Sequence, residues 1–172
     1  MHDWTVIDCL AALVRRYNRR LPEGDALSLL DAILRGALLH DLDPLLVASV
    51  IAAESSFNPR ARSHCGAEGL MQLTRPVQPW LGVTNPFNIK QNVAGGCRYL
   101  TYLRERFGRI DLVLAAYNSG PTRVARLRRV PNIPETVRYV RHVTRLHASL
   151  QASLKDRPFA VARGMERPFV FA

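Results

Sequence analysis

Lysine is almost absent from this chain. Of its 24 basic residues only Lys90 and Lys155 are lysines, so arginine supplies nearly all of a formal net charge of +10. The isoelectric point is near 10.5. A charge of this sign and size suits an anionic partner such as nucleic acid, a membrane surface or an acidic polymer of a bacterial cell wall. A solvated basic surface without a partner fits equally well, so charge alone decides nothing.

The sequence also lacks a long hydrophobic run, although 48% of its 172 residues are hydrophobic and 22% are charged. This composition indicates a soluble, folded protein of one domain and excludes a membrane-spanning helix. Near the start, Asp8 interrupts the apolar positions, and Arg15 and Arg16 follow them rather than precede them. No signal peptide is recognisable, so export would need another route or a signal already removed.

Cysteine is scarce, and Cys9, Cys65 and Cys97 lie far apart in the sequence. Neither a CxxC pair nor a cluster of cysteine with histidine offers the spacing of a metal site, so zinc is not expected. A single bridge between Cys65 and Cys97 in an exported protein and three unpaired thiols both stay open.

Apolar residues recur at helical spacing through most of the chain. The pattern and its turn signals predict helices over residues 6–17, 27–38, 45–56, 88–107, 112–117, 121–129 and 135–154. Asp111 is the predicted cap of the fifth helix, and Gly95-Gly96 permits close backbone contact in the fourth. Residues 63–87 are rich in glycine and proline, which favours loops with one or two short strands. The predicted fold class is mainly α, with one domain over residues 1–156 and a tail of unknown order over 157–172.

One glutamate, Glu54, stands at the end of an apolar helix. Asp43-Pro44 provides an N-cap and a proline at the first helical position, and Ser49 is the one polar residue from Leu45 to Ala53. Asn58-Pro59 stops the helix and places Glu54 in its last turn. Burial and the negative end of the helix both raise the pKa of such a carboxyl group, as a general acid for glycosidic cleavage requires. A structural glutamate bonded to the backbone or to a nearby arginine also fits this position.

Five motifs carry a resemblance to a known family. They are "ESSFNP" (Glu54 to Pro59), "GAEGLMQL" (Gly66 to Leu73), "NPFNIKQNVAGGCRYL" (Asn85 to Leu100), "LAAYNSGP" (Leu114 to Pro121) and "IPETVRYV" (Ile133 to Val140). In this order they resemble the soluble lytic transglycosylase family of peptidoglycan-cleaving enzymes. The resemblance implies a lysozyme-like, mainly α-helical fold. It also implies cleavage of the β-1,4 bond between N-acetylmuramic acid and N-acetylglucosamine, with no metal or organic cofactor.

The same motifs imply a set of site residues. Glu54 matches the family's lone catalytic acid and base, and Tyr139 matches a tyrosine that hydrogen-bonds near it. The substrate-binding residues predicted for the cleft from these motifs are Gly69, Met71, Gln72, Tyr117, Asn118 and Glu135, and Ser63, which precedes the second motif, is predicted with them. Structural roles are the alternative for each, with Met71 as core filler, the polar residues in turns or caps, and the tyrosines as packed rings. Ser63-His64-Cys65 departs from the family's usual pattern, so the resemblance does not predict the structure of the cleft rim.

Carboxylates are missing where a second one would most naturally face Glu54. No aspartate or glutamate occurs from Gly69 through Arg104, whereas a hydrolytic glycosidase normally uses two carboxylates. One carboxylate suffices if the 2-acetamido group of the muramic sugar stabilises the anomeric carbon and the sugar's own 6-hydroxyl closes on it, which gives a 1,6-anhydro end. The alternative is a hydrolytic muramidase or chitinase-like enzyme on this fold, with Glu135 or Asp111 activating water.

Two non-enzymatic functions also stay open. A glycan-binding or scaffold protein would keep the cleft without turnover, and an arginine-rich module would bind nucleic acid, although no recognised nucleic-acid motif accompanies the arginines. We expect peptidoglycan strands as the partner, no nucleic acid, no transmembrane segment and a monomer, in the periplasm or cell envelope. General wall remodelling, service to a secretion or conjugation apparatus, and a phage role remain alternatives.

Overall fold

Helices dominate the structure, a computed structural model that describes residues 5–155. In that range the elements are α1 (Val6–Tyr17), α2 (Glu23–Leu39), α3 (Pro44–Ser55), β1 (Ala67–Glu68), β2 (Leu73–Thr74), α4 (Ile89–Phe107), α5 (Ile110–Ser119), α6 (Pro121–Leu127) and α7 (Pro134–Lys155). The mainly α fold class is confirmed, with little strand in a loop-rich middle. The tail over residues 157–172 and the end of the predicted domain at residue 156 lie outside the described residues.

Helix α3 forms the centre of the core. The Asp43 side chain accepts a hydrogen bond from the Leu45 amide at 2.8 Å, and Pro44 occupies the first turn. The helix is apolar on all sides, and nearly all of its residues are buried against α1, α2 and α7. Ser49 satisfies its hydroxyl inside the helix by donating to the Leu45 carbonyl at 2.7 Å. The predicted cap and the predicted burial are both confirmed.

The carboxyl end of α3 is fixed by α1. Ser56 and Phe57 both adopt positive φ, at 50° and 60°, so the chain turns sharply away from the helix. The Phe57 ring is fully buried edge-on against Tyr17, with 5.8 Å between ring centroids. Asn18 donates from its side chain to the Phe57 carbonyl at 3.0 Å. The helix therefore ends as predicted, and burial of the phenylalanine offsets the strain of the two left-handed residues.

Helix α4 packs closely against the loop-rich middle. A Cβ atom at Gly96 would collide with the Met71 side chain, and one at Gly95 would press on Val83. The close contact predicted for these two glycines is confirmed. Leu73 and Leu81 are also buried beside Val83, which gives this part of the chain a small apolar cluster of its own. The strands β1 and β2 pair antiparallel, and Leu73 of β2 belongs to this cluster.

Helix α5 differs from its predicted bounds. It begins at Ile110 with Arg109 as its N-cap, so the prediction of Asp111 as the cap was wrong. The Asp111 carboxylate lies in the first turn and pairs with the Arg109 guanidinium at 2.7 Å, which competes with a capping role. The helix continues to Ser119, whose hydroxyl donates to the Ala115 carbonyl at 2.7 Å.

All three cysteines fall within the described residues, where each is a free thiol; Cys9 and Cys97 are buried and Cys65 is exposed. Over residues 5–155, no helix is long and apolar enough to cross a membrane. The same residues contain no group of three or more His, Cys, Asp or Glu side chains that could hold a metal ion.

Candidate active site

The Glu54 side chain is partly exposed, although its neighbours along α3 are buried. Burial is the largest effect on its pKa, which rises from the ordinary value of 4.5 to about 8. A hydrogen bond from Tyr139 opposes this rise, and the negative charge of Glu135 adds to it. Glu54 is therefore mostly protonated at neutral pH, as predicted from its place in the helix, with burial and a second carboxylate as the causes.

Tyr139 is fully buried on α7 and hydrogen-bonds to the Glu54 carboxyl group. Burial and the nearby Glu54 charge both raise the pKa of Tyr139 well above its usual value, so it stays a hydroxyl donor. Glu135 lies one helical turn earlier on α7 and is exposed. Residues four apart share a helix face, so α7 presents both side chains on the side that faces α3.

Tyr117 comes from α5 and links Glu54 to the loop-rich middle. Its hydroxyl donates to the Met71 carbonyl at 2.8 Å. Burial first and the Glu54 charge second raise the pKa of Tyr117 well above its usual value. The neighbouring Asn118 accepts a hydrogen bond from the Thr136 hydroxyl at 2.8 Å, which fastens α5 to the start of α7. Helices α3, α5 and α7 thus converge on one carboxyl group.

The loop before β2 is held by the side chains that the motifs indicated. The Ser63 hydroxyl accepts from the Ala67 amide at 3.0 Å. Gln72 has φ of 47°, and its side-chain amide donates to the carbonyls of Gly69 at 2.8 Å and Ala61 at 3.2 Å. Gly69 has φ of 80°, and a Cβ atom there would collide with the Pro86 carbonyl. Ser63 and Gln72 hold the loop in shape, while the absence of a side chain at Gly69 lets the loop lie against the Pro86 carbonyl.

Met71 places its backbone at the site and its side chain in the core. The side chain is fully buried against Gly96. Its carbonyl accepts from Tyr117, and its amide donates to the Asn92 side chain at 2.8 Å. This placement matches the core-filler alternative that the sequence left open.

Asn92 was missed by the sequence reasoning. It is fully buried on α4 and donates to the carbonyls of Glu68 at 3.0 Å and Pro86 at 2.8 Å, besides accepting from Met71. One side chain on α4 therefore holds two segments of the loop-rich middle, one at Glu68 and Met71 and the other at Pro86. The available signal was a polar residue within the interrupted apolar face of the predicted helix.

The carboxylates of Glu68 and Asp111 interact with residues outside the candidate site. The buried Glu68 carboxylate lies 3.9 Å from Arg62 and 3.8 Å from Arg75, and it accepts from Gln78 at 3.1 Å. Asp111 pairs with Arg109. Among the described residues, Glu135 is the carboxylate whose charge acts on the pKa of Glu54. The structure thus brings together Glu54, Glu135 and two tyrosines, while Ser63 and Gln72 act on the neighbouring loop.

Comparison with known proteins identifies the family of this chain and proteins that share its fold. The family model described as the transglycosylase SLT domain matches residues 32–136. The chain is 43% identical over 95 residues to the membrane-bound lytic murein transglycosylase F of Desulfosudis oleivorans, covering 51% of this chain and 21% of that protein. It is 46% identical over 81 residues to a transglycosylase of Enterobacteria phage PRD1, covering 47% and 31%. The chain therefore spans about a fifth to a third of the length of these relatives.

Two solved structures share the fold. The 70 kDa soluble lytic transglycosylase of Escherichia coli superposes with a TM-score of 0.67 at 25% identity, covering 83% of this chain and 26% of that one. A lytic transglycosylase of Pseudomonas aeruginosa, solved as an inactive mutant with glutamine in place of a glutamate, gives a TM-score of 0.66 at 22% identity. That match covers 95% of this chain and 31% of the other.

Proposed function

The chain belongs to the transglycosylase SLT domain family, and from this membership we propose that it cleaves the glycan strands of peptidoglycan as a lytic transglycosylase. The bond that breaks is the β-1,4 linkage between N-acetylmuramic acid and N-acetylglucosamine. Glu54 is the catalytic acid and base, and the products carry 1,6-anhydro-N-acetylmuramic ends. The named relatives of this chain are lytic murein transglycosylases and a phage transglycosylase, which supports the reaction class.

The first step uses the protonated form of Glu54. With a pKa of about 8 the carboxyl group holds its proton at neutral pH, so it can donate that proton to the glycosidic oxygen as the bond to the anomeric carbon breaks. The leaving N-acetylglucosamine departs with a free 4-hydroxyl. The 2-acetamido carbonyl of the muramic sugar stabilises the positive charge that develops at the anomeric carbon.

The second step uses the ionised form of the same group. Glu54, now a carboxylate, removes the proton from the 6-hydroxyl of the muramic sugar, and the oxygen bonds to the anomeric carbon of that sugar. The proton returns to Glu54 and no water is consumed. Tyr139 holds the carboxyl group through its hydrogen bond and donates to the carboxylate while it is charged.

The other matched residues bind or shape the cleft in this proposal. Glu135 and Asn118 are polar groups at the start of α7 and the end of α5, close to where the sugar lies. Tyr117 fixes the Met71 carbonyl at the edge of the cleft. Ser63, Gly69 and Gln72 position the loop whose Met71 carbonyl binds Tyr117.

Family membership carries the reaction class, and the role of Glu54 rests on its place at the end of a buried helix, its partial exposure and its raised pKa. The test is the clearing of purified sacculi by the wild type and by Glu54→Gln. We expect the variant to lose turbidity clearing while it keeps its circular dichroism spectrum and its binding to sacculi. A folded variant that clears sacculi at the wild-type rate would remove Glu54 from the mechanism.

Hydrolysis is the second candidate, and one observation favours it. Glu135 lies near enough for its charge to raise the pKa of Glu54, and two carboxylates are the usual equipment of a glycosidase that activates water. On that alternative, Glu135→Gln would abolish turnover. On the lytic mechanism the same variant keeps substantial activity, because the 6-hydroxyl replaces the water.

The working context is also proposed. We place the protein in the cell envelope, where its substrate lies, as a single domain that works as a monomer; service to a secretion or conjugation apparatus is one such context. Light scattering of the purified protein tests the monomer, and fractionation of the producing cells tests the compartment.

A further inference from the structure

Four aromatic rings lead away from the candidate site. The Tyr99 ring lies 5.2 Å from that of Tyr117, measured between centroids. Tyr102 is nearly parallel to Tyr99 at 6.2 Å. Trp80 meets both edge to face, at 5.1 Å from Tyr102 and 6.2 Å from Tyr99. We call Trp80, Tyr99 and Tyr102 the aromatic ledge, and it is continuous with the site through Tyr117.

The aromatic ledge is fixed before any ligand arrives. Leu81, next to Trp80, is buried, and its carbonyl accepts two hydrogen bonds from the Arg98 guanidinium, one of them 2.9 Å from Nε. On α4, Arg106 donates to the Tyr102 hydroxyl at 2.7 Å. The loop that carries Trp80 and the ring of Tyr102 are therefore held in place, so binding of a ligand costs little entropy for ordering these side chains.

Trp80 leaves 58% of its surface exposed although it touches two other rings. The exposed part of the indole is therefore available to a ligand while its other contacts hold the ring. The face of an aromatic ring is electron-rich and attracts the polarised C–H bonds on the apolar face of a pyranose ring. We infer that the aromatic ledge is a glycan-binding subsite beyond the reacting sugars, with Trp80 as the residue on which a sugar ring of the same strand stacks.

That the strand is a peptidoglycan glycan rests on the proposed function. The aromatic ledge is continuous with Tyr117 at the candidate site, which favours a glycan as its ligand. A sugar strand that passes Glu54 extends in both directions, and the Tyr99 ring on α4 contacts Tyr117, on whose pKa the Glu54 charge acts. The guanidinium groups of Arg98 and Arg106 are engaged with Leu81 and Tyr102. An indole ring carries no charge to pair with the carboxylates of a stem peptide, whereas its face suits a sugar ring.

Binding is measured by the fluorescence of Trp80 in a protein with Trp4→Phe and Glu54→Gln. Trp4 and Trp80 are the two tryptophans of the chain, so the double variant reports on Trp80 alone and does not consume the ligand. The probes are glycan strands freed of peptides by amidase, and the stem peptide by itself. We expect a saturable change with the strands and none with the peptide. An unchanged emission with the strands, or a change with the peptide alone, would overturn the inference.

Turnover separates this inference from the proposed function. With the active protein, Trp80→Ala should raise KM for long strands by about three- to tenfold and leave kcat unchanged. Trp80→Phe should recover part of the loss, and Leu38→Ala, at a side chain 84% exposed and outside the aromatic ledge, serves as the matched control. An equal KM for wild type and Trp80→Ala would contradict the subsite. If the strands bind at Trp80 but are never cleaved, the proposed function fails and the subsite stands.

Discussion

Replacing Glu54 by glutamine should stabilise the protein, and the gain should depend on pH. The folded state raises the pKa of Glu54 from 4.5 to about 8, so the folded protein binds this proton more tightly than the unfolded chain does. Between these two values a rise in pH releases the proton from the unfolded chain first. The free energy of unfolding of the wild type therefore falls across this window. Glutamine does not ionise, so the variant escapes this loss.

The size of the effect follows from the shift. One pKa unit corresponds to about 1.4 kcal/mol, so the full shift sets an upper limit of about 5 kcal/mol. Glu54 is partly exposed, and solvent screening reduces the penalty. We expect the difference between variant and wild type to be near zero at pH 4 and on the order of 2 kcal/mol above pH 8.

The assay is urea unfolding followed by circular dichroism at several pH values from 4 to 9. Glu105→Gln is the matched control, because it removes a negative charge from an exposed position on α4. Its difference from the wild type should stay small and flat across the range. A Glu54→Gln difference that does not grow with pH, or that grows towards acid pH, would refute the assignment of a raised pKa to Glu54.

Three other variants, and a control for the third, test the side chains and the loop around Glu54. Tyr139→Phe removes a hydrogen bond that lowers the pKa of Glu54. The alkaline limb of the pH–rate profile should therefore move to higher pH, and the rate should fall by about tenfold. An alkaline limb at the wild-type pH would contradict the hydrogen bond between Tyr139 and Glu54. Glu135→Gln removes the charge that raises this pKa, so the limb should move to lower pH with activity retained. Gly69→Ala introduces a Cβ at φ of 80° against a backbone oxygen and should cost about 3 kcal/mol or more in thermal unfolding. Gly24→Ala, with open space around it, should change stability by less than about 1 kcal/mol.

Local signals in the sequence were enough to place Glu54. The cap at Asp43, the proline after it and the stop at Pro59 act within a few residues of the helix they bound, so the ends of α3 followed from short-range chemistry. The same rules failed at α5, where Arg109 occupies the N-cap position without a side-chain hydrogen bond and the Asp111 carboxylate pairs with the Arg109 guanidinium instead of capping. A capping rule that considers one residue at a time misses that competition.

Contacts between distant parts of the chain could not be predicted from the sequence. Glu135 acts on Glu54 because α3 packs against α7, and no periodicity encodes that packing. The hydrogen bonds of Asn92 to two distant loop carbonyls depend on the path of residues 68–86. The motif containing Met71 does not separate the two parts of this residue; only the structure shows that its side chain is buried in the core while its carbonyl accepts a hydrogen bond from Tyr117.

In the proposed mechanism, Glu54 cleaves the glycan without adding water. Digestion of purified sacculi in water enriched in oxygen-18, followed by mass spectrometry of the released muropeptides, tests it directly. We predict muramic ends that lack one water and carry no heavy oxygen, formed by the wild type and not by Glu54→Gln. Reducing ends that contain one oxygen-18 atom would contradict the claim and indicate hydrolysis.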